Sequence, residues 1–343
     1  MRKLLRRHEF GLATITVILI VGIGLTNPAF FSMANLFDLC RSSTVMGLFA
    51  LGVLMVLISG GIDVSFAAIG AFSMYVTSRI LPVADFPGSA AVAFILAGAI
   101  GALLGLFNAV FIGFYRLPTL IVTLGSASIF RGFLLAFIGT AIVNNLPEGM
   151  VRFSKLTIGN AGSPAGATAG LPFSFLLFVL AAVVVWFVLR HTMVGRGLYA
   201  MGGNMVAAER AGFHMRRLQL FLYGLVGLLS GMAGIVHACM LRNANPFDLV
   251  GMELVVIAAV VLGGASITGG RGTVFGTVLG VFLIVVINNS LILLAIPSYW
   301  QKVTVGLVII ISTAIRVPKR RRSRLGSRAA QRNPPRIQGA GLC

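Results

Sequence analysis

The sequence predicts an all-α polytopic membrane protein of about ten transmembrane helices, with the N- and C-termini in the cytoplasm. Two observations carry the fold class. Charged residues make up 10% of the chain and hydrophobic residues 58%, more apolar surface than a soluble chain of 343 residues could bury. Apolar runs of about 18 residues or more recur along it, the length that crosses a bilayer. A third observation carries the orientation. The net charge of +19 is concentrated in alternate connecting segments, as in proteins that retain Lys and Arg on the cytoplasmic side.

The N-terminal MRKLLRRHEF and the run after it have the outline of a signal peptide. The run ends at TNPAFFS with no small-x-small cleavage site, so it reads as an uncleaved first span over 11–26. Further spans fall at 43–59, 64–81, 90–114, 118–139, 172–190, 217–240, 251–266, 273–294 and 299–316. The second runs into SGGIDVS. The eighth, GMELVVIAAVVLGGAS, is short and ends in glycines. Each of these two reads either as a helix broken at depth, which needs protein or a wet path around it, or as a tight turn at the membrane face. Gly101 and Gly105, Gly227 and Gly231, and Gly272, Gly276 and Gly280 put small residues at four-residue spacing, a pattern that lets helices approach closely in lipid.

With the N-terminus inside, the inner segments hold Arg2, Lys3, Arg6, Arg7, Arg116, Arg190, Arg196, Arg210, Arg216, Arg217 and Arg271. The outer ones hold Arg152, Lys155, Arg242 and Arg79. The longest outer segment, Ala141–Leu171, is rich in Gly, Ala, Asn and Pro and is expected to pack as a cap. The chain divides into a membrane domain, 1–316, and a basic tail, 317–343. The tail has no apolar periodicity and is expected to be disordered in the cytoplasm, an anchor near anionic lipid rather than a nucleic-acid arm.

The longest central run that could not sit in hydrocarbon is Arg190–Arg217. Inside it, Val206–Gly212 reads as a short helix ended by a glycine. The turn Gly202-Gly203-Asn204 ahead of it offers permissive backbone and an N-cap. Ala207 and Ala208 are small enough for a partner groove to close around, and Glu209 and Arg210 can pair with its rim. The segment is either a docking helix or an ordinary polar loop between spans.

Hydrolytic chemistry finds no support. No HExxH, GxSxG or paired-carboxylate arrangement occurs. Gly264–Gly269 has the glycine spacing of a phosphate loop, but Gly270 and Arg271 stand where Lys and Ser or Thr are required. Cys40, Cys239 and Cys343 lack the spacing of a disulfide framework or a zinc site, and no metal site is predicted. An unpaired charge at mid-bilayer costs roughly 2.5–3.5 kcal/mol, so each ionisable residue in a span needs a reason. Asp63 precedes a span and suits helix capping. Glu253 opens the eighth span and suits its first turn. Arg131, deep in the fifth, needs a partner or a wet cavity. No chain of Asp, Glu and His crosses the membrane, which weighs against a proton-coupled carrier. Neutral polar groups are better represented: Asn108, Thr123, Ser126, Asn288, Asn289, and Gln301 beside Trp300. Amides and aromatics suit a neutral hydroxylated solute, and they suit helix–helix hydrogen bonds equally.

Five stretches, LISGGIDVS, GLFNAVFIGFYRLPTLIVTLGSASIFRG, GRGLYAMGGNMVAAERAGF, GMELVVIAAVVLGGASITGGRGTVFGTVLG and INNSLILLAIPSYWQKVTVG, together resemble the permease subunits of bacterial ATP-binding-cassette importers for monosaccharides. That family comprises the ribose, xylose and galactose type and includes autoinducer-2 permeases. The resemblance spreads over most of 35–316. It implies a chain that works as a pair with a second permease, like or unlike itself. Two ATPase subunits would hydrolyse Mg-ATP below, and a secreted sugar-binding protein would deliver the solute outside. No cofactor would be bound by this chain. The segment matching Gly195–Phe213 would be the loop that docks on the ATPase, which assigns Gly195, Gly197, Gly202, Gly203, Asn204, Ala207, Ala208, Glu209, Arg210 and Gly212 to coupling. Asp63, Ser65, Asn108, Thr123, Ser126, Arg131, Glu253, Asn288, Asn289, Trp300 and Gln301 become candidates for the solute pathway. The chain departs from the family at Phe66 and Ala67, where V-G usually follows the GGIDLS stretch, and the tail after Arg316 has no family counterpart. A branched-chain amino-acid or nucleoside permease is the nearest alternative. A membrane-embedded enzyme and a passive channel are the others.

Overall fold

The structure, a computed structural model, describes residues 8–83, 90–162, 168–294, 296–297, 299–301, 303–304 and 306–307. Its first half holds α1 (His8–Thr26), α2 (Met33–Ile58), α3 (Phe66–Val83), α4 (Ala90–Gly113) and α5 (Thr119–Phe133), the last continued by a π-turn over Leu134–Ile138. Between α5 and α7 (Phe173–His191) lie α6 (Glu148–Lys155) and an antiparallel hairpin of β1 (Thr157–Gly162) and β2 (Thr168–Pro172). Two short helices follow, α8 (Met193–Gly203) and α9 (Met205–Arg210). Then come α10 (Met215–Leu241), α11 (Met252–Leu262) and α12 (Val274–Leu293).

Among the described residues, α2, α4, α5 with its π-turn, α7, α10 and α12 are long and apolar enough to cross a membrane. α1 and α3, of 19 and 18 residues, reach about 27–29 Å, close to the ~30 Å of a hydrocarbon layer. The eleven residues of α11 span only about 16 Å. The eighth predicted span is therefore a half-crossing, set between a left-handed Gly251 and the Gly263-Gly264 turn. The second span begins at Met33, ten residues before the predicted start, because Ser32 caps it by accepting from the Asn35 amide at 3.2 Å. Asp38 and Arg41 interrupt the apolar run but not the helix, whose 26 residues reach about 39 Å, past the hydrocarbon edge. The outer segment is no plain loop: α6 buries Met150 and Phe153, and the hairpin follows it. The basic tail and most of the tenth predicted span lie outside the described residues, as do the N-terminal arginines.

α2 is the axis of the bundle. From Thr44 to Ile58 every residue is buried, packed by α10, α12, α7 and α11. Outward positions such as Ile95, Leu103, Leu180, Leu254 and Phe275 are apolar and exposed, the inversion expected where lipid rather than water is the surrounding solvent.

The glycine pairs pack on one another. A methyl group on Gly101 of α4 would overlap the Gly227 carbonyl oxygen of α10, and one on Gly227 would overlap the Gly101 carbonyl. Gly105 meets the Tyr223 backbone in the same way. On α12, Gly276 and Gly280 lie against the Gly263 and Ala259 carbonyls, while Gly272 turns to Leu54 and Ile58. At the α4–α10 seam no side chain can give way, so overpacking should cost at least the usual ~1–3 kcal/mol. Gly227→Leu is expected to abolish the folded, monodisperse protein in size-exclusion chromatography. Gly22→Leu, where an added methyl meets nothing, should leave it intact.

The two ends of the bundle are held by different contacts. At one end Arg116, Glu209, Gly202 and Gly270 come together. At the other, Arg41 donates to the Met240 carbonyl at 2.9 Å, Tyr75 to the Ala141 carbonyl at 2.8 Å, and Arg242 to the Ser154 hydroxyl at 3.2 Å.

Candidate functional site

The arginine-rich end is built from α8 and α9. Thr192 caps α8, its hydroxyl accepting from the Gly195 amide at 3.2 Å. Gly195 is required because a methyl there would overlap the Val188 and Leu189 carbonyls, and Gly197 because Leu218 and Phe213 fill the space beside it. Asn204 is the N-cap of α9, its side-chain oxygen accepting from the Ala207 amide at 3.0 Å. The helix runs over Met205–Arg210, starting one residue before and ending two residues before the predicted Val206–Gly212. It ends at Ala211, and Gly212 follows at φ +90°.

Met205, Val206, Ala207 and Arg210 of α9 are exposed, while Ala208 is turned into the body at 3% exposure. Of the two predicted docking alanines only Ala207 is therefore free to meet a partner. Glu209 pairs with Arg116 at 3.4 Å, with both side chains exposed, so the pair holds α9 over the α4–α5 turn with little energy of its own. Behind α9 a cleft of about 670 Å³ is lined by Ser59–Ile62, Arg116–Leu120, Met201–Val206, Gln219 and Tyr223. Burial pushes the Tyr199 hydroxyl up from its ordinary value, so it stays a neutral donor, and it donates to the Gly272 carbonyl at 2.7 Å.

The break between α2 and α3 is held by a buried polar network. Asp63 Oδ1 accepts from the Ser65 amide and the Ser65 hydroxyl, both at 2.7 Å. The Ser65 hydroxyl in turn accepts from Asn108 Nδ2 at 2.8 Å. Asp63 thus shapes the turn before α3 from two residues upstream of Ser65, rather than sitting at the N-cap. Thr119 accepts from the Ile62 amide at 3.1 Å, and Thr123 binds the Ile62 carbonyl at 3.3 Å. Ser126 donates back to the Thr123 carbonyl at 3.3 Å. Asp63, Ser65, Asn108, Thr123 and Ser126 are all buried within the chain. Asp63 and Thr123 satisfy irregular backbone of the break at depth, where an unpaired amide is costly, and Asn108 ties the Ser65 hydroxyl to α4.

Arg131 has the partner that its depth demands: its guanidinium pairs with Glu253 in the first turn of α11. The pair is half-open, with side-chain exposures of 32% and 14%, and it joins α5 to the half-crossing helix. Asn288 and Asn289 of α12 are both half-buried. Trp300 is exposed and Gln301 half-buried, beyond α12. Neither is brought to the Arg131–Glu253 pair by any hydrogen bond among the described residues. Adjacent residues on a helix point about 100° apart, so Asn288→Ala and Asn289→Ala are expected to reduce uptake unequally at matched membrane abundance. Equal losses, measured as initial uptake rates, would remove both from a specific pathway.

Tyr223, Thr119 and Tyr199 join the site without having been singled out in the sequence. Tyr223, buried on α10, lines the inner end of the cleft. A tyrosine inside an otherwise apolar span was the available signal, since its hydroxyl needs a polar neighbour.

Residues 35–313 match the family described as branched-chain amino acid transport system / permease component. The chain is 31% identical over 300 residues to the ribose import permease protein RbsC of Escherichia coli strain K12, covering 87% of this chain and 90% of that protein. It is 36% identical over 300 residues to the Bacillus subtilis ribose import permease protein, covering 87% and 89%. The autoinducer 2 import system permease protein LsrC of Klebsiella pneumoniae is 32% identical over 311 residues, covering 90% and 86%. No solved structure matches.

Proposed function

The chain belongs to the branched-chain amino acid transport system / permease component family, and we propose that it is the membrane subunit of an ATP-driven importer for a monosaccharide or similar small hydroxylated solute. It sits in the bacterial cytoplasmic membrane, as an import permease must. It pairs with a second permease chain, receives solute from a secreted binding protein and leaves hydrolysis of Mg-ATP to a separate subunit. In that assembly α9, through Met205, Val206, Ala207 and Arg210, is the face offered to the ATPase, and Gly195, Gly197, Gly202 and Ala208 seat the Gly195–Gly212 segment against the body. Arg131, Glu253, Asn288, Asn289, Trp300 and Gln301 border the pathway, and Asp63, Ser65, Asn108, Thr123 and Ser126 hold the broken segment beside it.

The observation that carries this reading is the position of α9. It is a short, capped helix standing exposed at the arginine-rich end, facing the break of a transmembrane helix across a cleft that both line. A passive channel has no use for such a feature. A sugar is favoured over a branched-chain amino acid by the ribose and autoinducer 2 permeases among the relatives.

The test is uptake of a panel of labelled pentoses, hexoses, autoinducer 2 and leucine in cells with and without the gene. Loss of import of one hydroxylated solute, with leucine uptake unchanged, is expected. Loss of leucine import with every sugar unaffected would overturn the choice of solute class.

A further inference from the structure

Three segments distant in sequence meet at the inner end of α2 with no side chain between them. The Ile58 carbonyl is among the last acceptors of α2, which have no partner within their own helix. It accepts from the Gly270 amide at 2.9 Å. Gly270 lies in the turn between α11 and α12, which Gly269 and Gly270 form at φ +88° and +72°. Gly202, in the last turn of α8, is wedged into the same place. A methyl group on it would overlap the Ile58 carbonyl oxygen and lie 2.6 Å from the Gly270 nitrogen. A methyl on Gly269 would lie 2.6 Å from the Gly202 carbonyl oxygen and 2.8 Å from Gly60 Cα. One turn back along α8, Tyr199 makes the second tie, its hydroxyl donating to the Gly272 carbonyl at 2.7 Å. Only Gly203 and the capping Asn204 separate this junction from α9.

We propose that the Gly202–Ile58–Gly270 backbone junction, with the Tyr199–Gly272 hydrogen bond beside it, is the contact that transmits movement of α9 to both interrupted transmembrane segments. The inference rests on the reading of α9 as the ATPase-docking helix and adds the route from there into the membrane. The physical case is stiffness. Close-packed contacts have low compressibility and transmit strain, and backbone in van der Waals contact with backbone has in addition no rotamer to change. From Ile58 the contact leads at once into the 59–65 break and its Asp63–Ser65–Asn108 network. From Gly270 it leads into α12 and back into α11, whose Glu253 holds Arg131. By sequence alone α9 connects only to α7 through α8 and to α10, neither of which is interrupted.

The test uses the permease assembled with its ATPase in liposomes, reading ATPase co-purification, hydrolysis and solute uptake together. Gly202→Ala wedges the junction, Tyr199→Phe removes only the second tie, and Gly22→Ala adds a methyl where nothing lies within 4 Å. Gly202→Ala is expected to keep its ATPase while solute imported per ATP hydrolysed falls by about tenfold or more, within the range of couplings between protein sites, with a smaller, few-fold fall for Tyr199→Phe. Gly22→Ala should match the parent. Parent-like coupling in Gly202→Ala would overturn the proposal, and so would uptake and ATPase association falling in parallel, the mark of a docking defect. If Gly202→Ala does not fold, Tyr199→Phe decides by the same ratio, and a ratio equal to the parent's counts against transmission. An ATPase that stays bound and coupled when Ala207 is changed to Asp overturns the docking reading beneath the proposal. Docking lost in Ala207→Asp, with normal coupling in Gly202→Ala, overturns the transmission route alone.

Discussion

Ala207→Asp is expected to leave the permease inserted and folded and to abolish uptake. The residue is exposed on α9, outside the hydrocarbon, so a carboxylate there meets water in the isolated chain. If α9 docks on the ATPase as proposed, the same carboxylate would be closed into a partner groove beside Met205 and Val206, both exposed apolar side chains. An unpaired charge buried in that way costs about 3–5 kcal/mol, or roughly a hundred-fold to several-thousand-fold in affinity. Co-purification of the ATPase should be lost and uptake should fall to background. Ala208→Asp is a poorer probe. At 3% exposure Ala208 faces its own chain, so that change damages the permease before it tests the partner. If the Ala207 variant keeps association and uptake at parent levels, α9 is a linker.

Breaking the Arg131–Glu253 pair is the second large expected effect. Glu253→Gln leaves the guanidinium inside the bundle without a countercharge. Losing one member of a fully buried pair costs about 3–5 kcal/mol, which falls to about 1–3 kcal/mol once the 32% exposure of the Arg131 side chain is allowed for. Folded, membrane-inserted protein should drop several-fold. The double change Arg131→Gln with Glu253→Gln removes both charges and should recover abundance, because an amide pair can still hydrogen-bond. Uptake in the recovered double variant separates two roles. Normal uptake makes the pair structural, and lost uptake at normal abundance places it on the pathway. A double variant less abundant than the single would contradict the pairing itself.

Much of this architecture was legible in the sequence because membrane folds are constrained by length and charge. Apolar runs gave the spans, and the glycines after Leu262 marked α11 as short. The depth of Arg131 announced that it needed a partner. Its identity was not legible, since Glu253 lies 122 residues away and reads locally as an ordinary first-turn carboxylate. The pairs Gly101/Gly105 and Gly227/Gly231 were visible as packing faces, but nothing in either says that each packs on the other. The early start of α2 was hidden by Asp38 and Arg41, which stop a hydropathy run without stopping a helix. At the site, the cap at Asn204 was legible from local rules. The side of α9 that faces the body was not, because a six-residue helix has too few turns to show a face. The meeting of Gly60, Gly202 and Gly270 is a property of backbone proximity alone, and glycines give no sequence signal of which backbone they admit.

The central claim is that the arginine-rich end, through α9, receives the ATP-hydrolysing subunit. The most direct measurement is site-specific photo-crosslinking in membranes of the native host, with the reactive side chain at Val206 on α9 or at Ile158 on the hairpin of the opposite end, both exposed. The account predicts an adduct with the ATP-hydrolysing subunit from position 206 and none with it from position 158. An ATPase adduct from position 158, or none from position 206 while uptake remains intact, would contradict it.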